Sequence, residues 1–406
     1  MLRPAALVLF SSALAACAGG IPPPAAPTAR APAPIFGAGV RHEWYVAASG
    51  TDGGGCGIAS RPCATITYVD RHRAGPGDVV NVTGTFRLTS NTCISTETSG
   101  RPGAPIVYVA SPPGSAKIDG RARCFYVWHD TGDYVTVSGF DFTGAQKNGN
   151  VNEGTVVFLA SGPRGNVEFA HNTVHDIPWQ VGAAVDLGPW RTGHGYTGAP
   201  CSVHDNVFHD IGAGWPKSEN LGGYALYVSC GTDTWIYNNL IYREGSVGIH
   251  CWHAANHLHI YNNTIDGAYI GILAGTGDDG SVKNAYYDVV NNVVAHAAFS
   301  IYTEANAPGT ISPSSRFENN LLFADEHNWY YDDHGRLGRV TRVMHVSGTV
   351  YADPDFVSAA KDDFHLRAGS PAIDGGRRRG CPGHDLDGSP RPFGKGCDIG
   401  AYEWHA

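Results

Sequence analysis

The chain has 406 residues and a formal net charge of -9, with no basic stripe along it. Such a surface repels a phosphate backbone, which excludes nucleic acid as the partner. Fifty-three Gly, only two Met and 11% aromatic residues describe a turn-rich all-β chain with ample core, and no segment after the N-terminal one is long and apolar enough to span a bilayer.

Residues 1–17 open on Arg3, continue through the apolar run from Ala5 to Phe10, and end on Leu14-Ala15-Ala16-Cys17. That is the pattern of a secretory signal with a small-residue cleavage site. The Leu-Ala-Ala-Cys ending resembles the bacterial lipoprotein signal. The resemblance implies lipid on Cys17 and, because Ala18 rather than Asp follows, an outer-membrane protein on the periplasmic or the outer surface. The plain alternative is an ordinary secretory signal with an incidental Cys. Residues 18–42 are Pro/Ala-rich from Ile21 to Ala38, the composition of a semi-extended spacer.

From Glu43 the pattern changes. Glu43-Trp44-Tyr45-Val46 reads as a strand, Thr51 to Cys63 as a Gly-rich loop, and Ala64 to Arg73 as a short helix. Together these make a cap, which a stacked-coil protein needs to cover its first sheet edge. Gly75-Pro76-Gly77-Asp78-Val79-Val80 then turns back into strand.

A pair of polar residues ending in Asn recurs through the middle of the chain: His171-Asn172, Asp205-Asn206, Asn238-Asn239, Asn262-Asn263, Asn291-Asn292 and Asn319-Asn320. The second Asn repeats at intervals of 34, 33, 24, 29 and 28 residues. An apolar residue stands three before it each time, from Phe169 to Phe317, and another two after it, from Val174 to Leu322. This period with strand-like alternation predicts a solenoid, because each coil buries its inner face only against its neighbours. An Asn at the bend tolerates left-handed backbone and stacks amide to amide with the Asn one coil away. A leucine-rich repeat would need a Leu-x-x-Leu-x-Leu framework that is missing.

A second strand per coil opens on a small residue: Gly154-Thr155-Val156-Val157, Gly182-Ala183-Ala184-Val185, Gly223-Tyr224-Ala225-Leu226, Gly248-Ile249-His250-Cys251, Gly271-Ile272-Leu273-Ala274 and Ser300-Ile301-Tyr302-Thr303. Period-two alternation puts positions one and three after the small residue inside. In these residues the chain from about Glu43 onward resembles the right-handed parallel β-helix proteins, a group that contains pectate-lyase-like enzymes and many bacterial exported proteins. The expected fold is all-β: a single-stranded right-handed parallel β-helix over 43–352, with an N-terminal cap. Residues 353–406 carry Asp353-Pro354-Asp355-Phe356, Ser370-Pro371-Ala372-Ile373-Asp374-Gly375 and Asp398-Ile399-Gly400-Ala401-Tyr402-Glu403. They resemble the choice-of-anchor segments of exported β-helix proteins, which implies a cap at the exit end. The Asp residues there read as turn chemistry, with a calcium site as the alternative; no other cofactor is expected.

The cysteines suit an oxidising compartment. Cys56 with Cys63, Cys93 with Cys124, Cys201 with Cys230 and Cys381 with Cys397 are plausible pairs. Cys251 is left over as a small buried hydrophobe. Zinc finds no Cys-x-x-Cys and no suitably spaced His pair in the sequence.

Under this register, position four of the small-residue strands presents Phe158, Asp186, Tyr227, Trp252, Gly275 and Glu304 to solvent, and position two presents His250 and Tyr302. Aromatic faces stack on sugar rings, and the ionisable groups can transfer protons. The longest intervals carry Trp190, Arg191 and His194, then Trp215, Lys217 and Glu219, as walls of a groove. The expected site has Tyr227, His250 and Asp186 as proton-transfer groups. Trp252, Phe158, Tyr302, Glu304, Trp190, Arg191, His194, Trp215, Lys217 and Arg243 bind substrate, the cations among them neutralising a uronate carboxylate. Each has a bland reading: Tyr227 and Trp252 as a surface aromatic ladder, His250 as an exposed imidazole. A polysaccharide lyase-like enzyme, acting as a monomer, is the leading expectation. A non-catalytic glycan-binding or structural surface module is the alternative and a glycoside hydrolase the second alternative. Glu304 lies too far from Asp186 for a hydrolase pair, unless a loop carboxylate such as Glu219 completes one.

Overall fold

The computed structural model describes residues 40–89, 93–120, 126–144, 156–162, 165–177, 183–188, 200–212, 223–229, 233–253, 255–276, 284–305, 310–324, 326–333 and 345–405. No helix among them is long and apolar enough to cross a membrane.

The cap forms as its sequence dictates. The helix Ile66–His72 is N-capped by Thr65, whose hydroxyl accepts a hydrogen bond from the Tyr68 amide, and it buries Ile66 and Val69 over the first coil. Cys56 is bonded to Cys63, and Cys381 to Cys397. Cys93 is disulfide-bonded, and its expected partner Cys124 lies outside the described residues. So does Cys230, the expected partner of the buried Cys201. Cys251 is a buried thiol in the core.

Each coil contributes three strands, and every pairing between coils is parallel. One coil, for example, runs through Tyr224–Val228, Thr234–Tyr237 and Leu240–Glu244 before Val247–Cys251 begins the next. The strands before each Asn pair stack on one another, as Val203, Ile236, Ile260 and Val289 show by sharing one register row. The strands after it do likewise in the row Phe208, Ile241, Ile265 and Val294. A third face, a nine-stranded sheet, runs from Ile94–Thr96 to His327–Asp333.

The Asn repeat divides its labour between its two residues. The first takes the left-handed conformation, with φ of 56° at His171, 55° at Asp205, 51° at Asn238 and Asn262, 59° at Asn291 and 50° at Asn319. These are residue types whose short polar side chains tolerate that region better than most. The second points inside and stacks. The Asn206 side-chain amide donates to Asn239 Oδ1 at 2.9 Å, Asn239 to Asn263 at 2.9 Å, Asn263 to Asn292 at 2.9 Å and Asn292 to Asn320 at 3.0 Å. Each amide also donates to a backbone carbonyl one coil back, as Asn239 does to Val203 and Asn263 to Ile236. Each Oδ1 accepts a backbone N–H as well. Five side chains with no exposure therefore have their polar atoms partnered, as burial requires.

The C-terminal segment differs from the expected exit cap. It runs back along the flank of the solenoid. Phe356, Phe364, Leu366, Ala372, Ile399 and Ala401 pack against Leu240, Tyr242, Val293, Ala295 and Leu321, which belong to successive coils. The Asn that precedes each ladder Asn is what the segment uses as a handle. Asn238 donates to the His384 carbonyl, Asn262 to Asp398, Asn291 to Arg377 and Asn319 to Gly375. The Asp residues of the segment do serve its turns: Asp374 Oδ1 accepts from the Lys395 and Gly396 amides, and Asp398 from the Asp374 and Trp404 amides.

Candidate functional site

The third face carries the site, but its register corrects the expected one. Ala225 and Leu226 both point inward, as do Ala184 with Val185 and Val157 with Phe158, all in the main core. The outward residues are therefore three apart, Tyr224 and Tyr227, rather than two. Phe158, expected to face sugar, is fully buried and packs on Phe169 and Trp128 with ring centroids 5.0 and 6.0 Å away.

Asp186, Tyr227 and His250 are nonetheless brought together. Asp186 is register partner to Tyr227, and Tyr227 to His250, on three adjacent strands. Leu159 precedes them in the row, and Leu273 and then Tyr302 follow. The row is not open surface: Asp186 is 4% exposed, His250 9% and Tyr302 7%. Tyr302 belongs to an apolar cluster with Val247, Ile270 and Leu273. Trp252 stays partly exposed and lies over Gly275, where a side-chain carbon would come within 2.4 Å of the indole. Glycine is required there because the indole occupies the space of a side chain. Glu304 pairs in register with Gly275, four strands beyond Asp186. Four spacings of about 4.8 Å place it about 19 Å away.

Two further residues complete the cluster. Tyr224, expected inside, stacks on Tyr227 at 5.5 Å and meets His250 edge-on at 4.4 Å. His253 stands 6.1 Å from the Tyr227 ring. Tyr227 and His250 are themselves 4.9 Å apart in a T-shaped contact. The shift from two-residue to three-residue spacing was the available signal: Gly248-Ile249 aligns with Ala225-Leu226, not with Gly223-Tyr224.

Burial sets the electrostatics. Desolvation raises the Asp186 carboxyl well above the usual carboxylate range, which favours its protonated form. Desolvation, with a smaller contribution from His253, lowers His250 to about 3, so its imidazole is neutral at physiological pH. Among the described residues, Asp186 Oδ1 and His250 Nδ1 are buried without a hydrogen-bond partner. A neutral acid and a neutral base thus flank a phenol, each with an unused polar atom.

The remaining expected groups are not brought here. Arg243 stands in the strand Leu240–Glu244, in left-handed backbone, bound by Asp210 at 2.7 Å and by Asp362 of the C-terminal segment. It is committed to that ion pair and does not reach the row. Trp190, Arg191, His194, Trp215, Lys217 and Glu219 lie outside the described residues, as does Cys17.

With the geometry in hand, likeness to known proteins is informative about the architecture. A family model described as right handed beta helix region matches residues 164–326. The structure is similar to that of pectate lyase Pel9A, with a TM-score of 0.53 at 14% identity, covering 91% of this chain and 98% of that one. It is more distantly similar to XylC solved with xylose, with a TM-score of 0.48 at 13% identity over 70% of this chain and 66% of that one. An alginate lyase from Paenibacillus sp. gives 0.40 at 12% identity over 76% and 99%. No curated protein matches in sequence. The fold is a right-handed parallel β-helix.

Proposed function

We propose that this β-helix acts on a polysaccharide containing uronic acid, by β-elimination at the row of Asp186, Tyr227 and His250. The observation that carries the reading is the pair of unpartnered buried atoms, Asp186 Oδ1 and His250 Nδ1, on either side of Tyr227. Buried polar atoms are paired in folded proteins, and an exception at a strand row of acid, phenol and imidazole is what an unliganded site presents.

Elimination needs three things: a base for the proton beside the carboxylate, a group to stabilise the charge that develops, and an acid for the leaving oxygen. Neutral His250 offers an acceptor nitrogen at physiological pH, where an ordinary imidazole is partly protonated. Protonated Asp186 donates a hydrogen bond to the substrate carboxylate where a cation would otherwise be used. Tyr227, between them in the row, delivers its hydroxyl proton to the departing glycosidic oxygen. The proton taken by His250 then returns to the phenolate, which restores both groups for the next turnover. Trp252, half-exposed at the edge of the row, supplies a stacking face for a sugar ring.

One observation favours a second reading, a non-catalytic glycan-binding surface: Asp186 and His250 are nearly closed to solvent, whereas Trp252 and Tyr227 are not. A panel of uronate-containing and neutral polysaccharides separates the two. Ultraviolet absorbance from unsaturated chain ends supports elimination; binding without any product supports the surface module. We also propose that Cys17 carries lipid and holds the protein at the bacterial outer membrane, supported by the Leu-Ala-Ala-Cys ending and the spacer behind it.

A further inference from the structure

A second cluster of ionisable groups lies on a different face, where the C-terminal segment meets the strands that precede the Asn pairs. His204 ends the strand Ser202–His204, and Asp205 is the left-handed residue before the ladder Asn206. Their side chains leave the coil toward the flank. There they meet His384, which is 179 residues away from Asp205 in sequence. His204 Nδ1 is 2.7 Å from Asp205 Oδ2, and His384 Nε2 is 3.2 Å from the same oxygen. His171, one coil back, completes a group in which one ligand atom each of His171, His204 and Asp205 lie within 4.8 Å of one another.

We infer that His171, His204 and Asp205, joined by His384 through its contact with Asp205, form a binding site for a divalent transition metal of the zinc class that ties the C-terminal segment to the solenoid. Three imidazoles and one carboxylate suit zinc and its neighbours; calcium and magnesium demand oxygen ligands instead. Tetrahedral bonds of about 2.0 to 2.1 Å set ligand atoms about 3.3 Å apart. The His384 to Asp205 contact already has that spacing, and the His204 contact needs to open by only about half an ångström.

The surroundings are those of a ligand set held in place from behind. His204 turns its other nitrogen to Glu168 Oε1 at 2.8 Å, the carboxylate–histidine arrangement that fixes ring orientation and raises basicity in metal sites. Glu168 is in turn anchored by the Thr136 hydroxyl at 3.0 Å. Asn238 donates to Asp205 Oδ1 at 3.1 Å and to the His384 carbonyl at 2.8 Å, so one amide positions two ligands on separate parts of the chain. Tyr237 stacks flat on His204, 4.6 Å away at 4°. Asp205 and His204 are buried, while His384 is one-third exposed and His171 is exposed, which leaves a route for the ion.

Without metal, His204 bonds carboxylates through both nitrogens, which requires both to carry hydrogen. Metal binding therefore replaces the Nδ1 proton, which is released to solvent, while Nε2–H stays on Glu168. Glu168, His171, His384 and Tyr237 face the same ring, and affinity falls as pH drops and the imidazoles protonate.

The test is isothermal titration of chelator-treated, tag-free protein with zinc chloride, in parallel with calcium chloride. One equivalent of zinc should bind, and calcium should not compete. His384→Gln, on the segment, and His171→Gln, at an exposed position that the core does not need, should each weaken zinc binding at least tenfold. His250→Gln, in the other cluster, should leave it unchanged. Absence of stoichiometric zinc binding, or binding unchanged in both His384→Gln and His171→Gln, overturns the assignment.

Discussion

Asp186 illustrates how a single residue can set stability against chemistry. Its carboxyl is buried, and Oδ1 has no partner. With the folded-state pKa raised above the ordinary carboxylate value of 3.8, the unfolded chain releases the proton first as pH rises. The folded state is therefore relatively favoured below that value and loses ground above it. Asp186→Asn removes the titration while keeping the shape. It should raise the melting temperature at pH 7 more than at pH 4, and abolish turnover. A gain equal at both pH values would mean that the carboxyl is ionised in the fold. His250, lowered from 6.5 to about 3, works in the opposite sense. Neutral in both states above about pH 6.5, it costs stability as pH falls toward 3 and the unfolded imidazole takes up a proton. His250→Gln should therefore flatten the acid limb of the stability profile measured by thermal denaturation.

Among the elements, the Asn ladder has the clearest energetic meaning. Asn239 and Asn263 each donate to an Asn in the next coil and to a carbonyl in the previous one. Replacing either by Leu leaves buried backbone and amide groups unpaired, at about 1 to 3 kcal/mol apiece. Ser60→Ala, at an exposed position in the cap, should stay within about 0.5 kcal/mol. Chemical denaturation of the three variants checks this, and equal midpoints would contradict the ladder. The ladder was legible because a bend that needs left-handed backbone and an interior that needs a satisfied amide leave few residue types to choose from, and the pair repeats. The third face was only half legible. Tyr227, His250 and Asp186 could be found from composition and order. The paired inward residues Ala225 and Leu226 break period-two alternation, so Phe158 was assigned outward and Tyr224 inward.

For the whole molecule, the informative feature is that the C-terminal segment braces the flank instead of closing one end. Phe364 is 1% exposed and packs 4.9 Å from Tyr242 and 5.3 Å from Phe356. Phe364→Ala should destabilise the entire protein by about 3 to 5 kcal/mol, seen as one lowered cooperative transition. A separate low-temperature transition with the solenoid's own unchanged would mean that the segment is an independent unit. Neither this docking nor the His204, Asp205 and His384 cluster was legible in sequence, since both depend on contacts between residues more than a hundred positions apart. At the N-terminus, Cys17→Ser should move the protein from the membrane fraction to the soluble one, and continued membrane association would refute lipidation there.

The central claim is that Asp186, Tyr227 and His250 perform proton transfer on a bound glycan. The most direct measurement is the rate of unsaturated-end formation by Tyr227→Phe and His250→Gln beside Trp252→Ala, on whichever uronate polysaccharide the wild type cleaves. Loss of a proton-transfer group lowers rate by about 100- to 10,000-fold, whereas loss of a stacking face costs about 1 kcal/mol of binding. The first two variants are expected to bind glycan without turning over, and Trp252→Ala to turn over with weakened binding. Wild-type rates in both Tyr227→Phe and His250→Gln would contradict it.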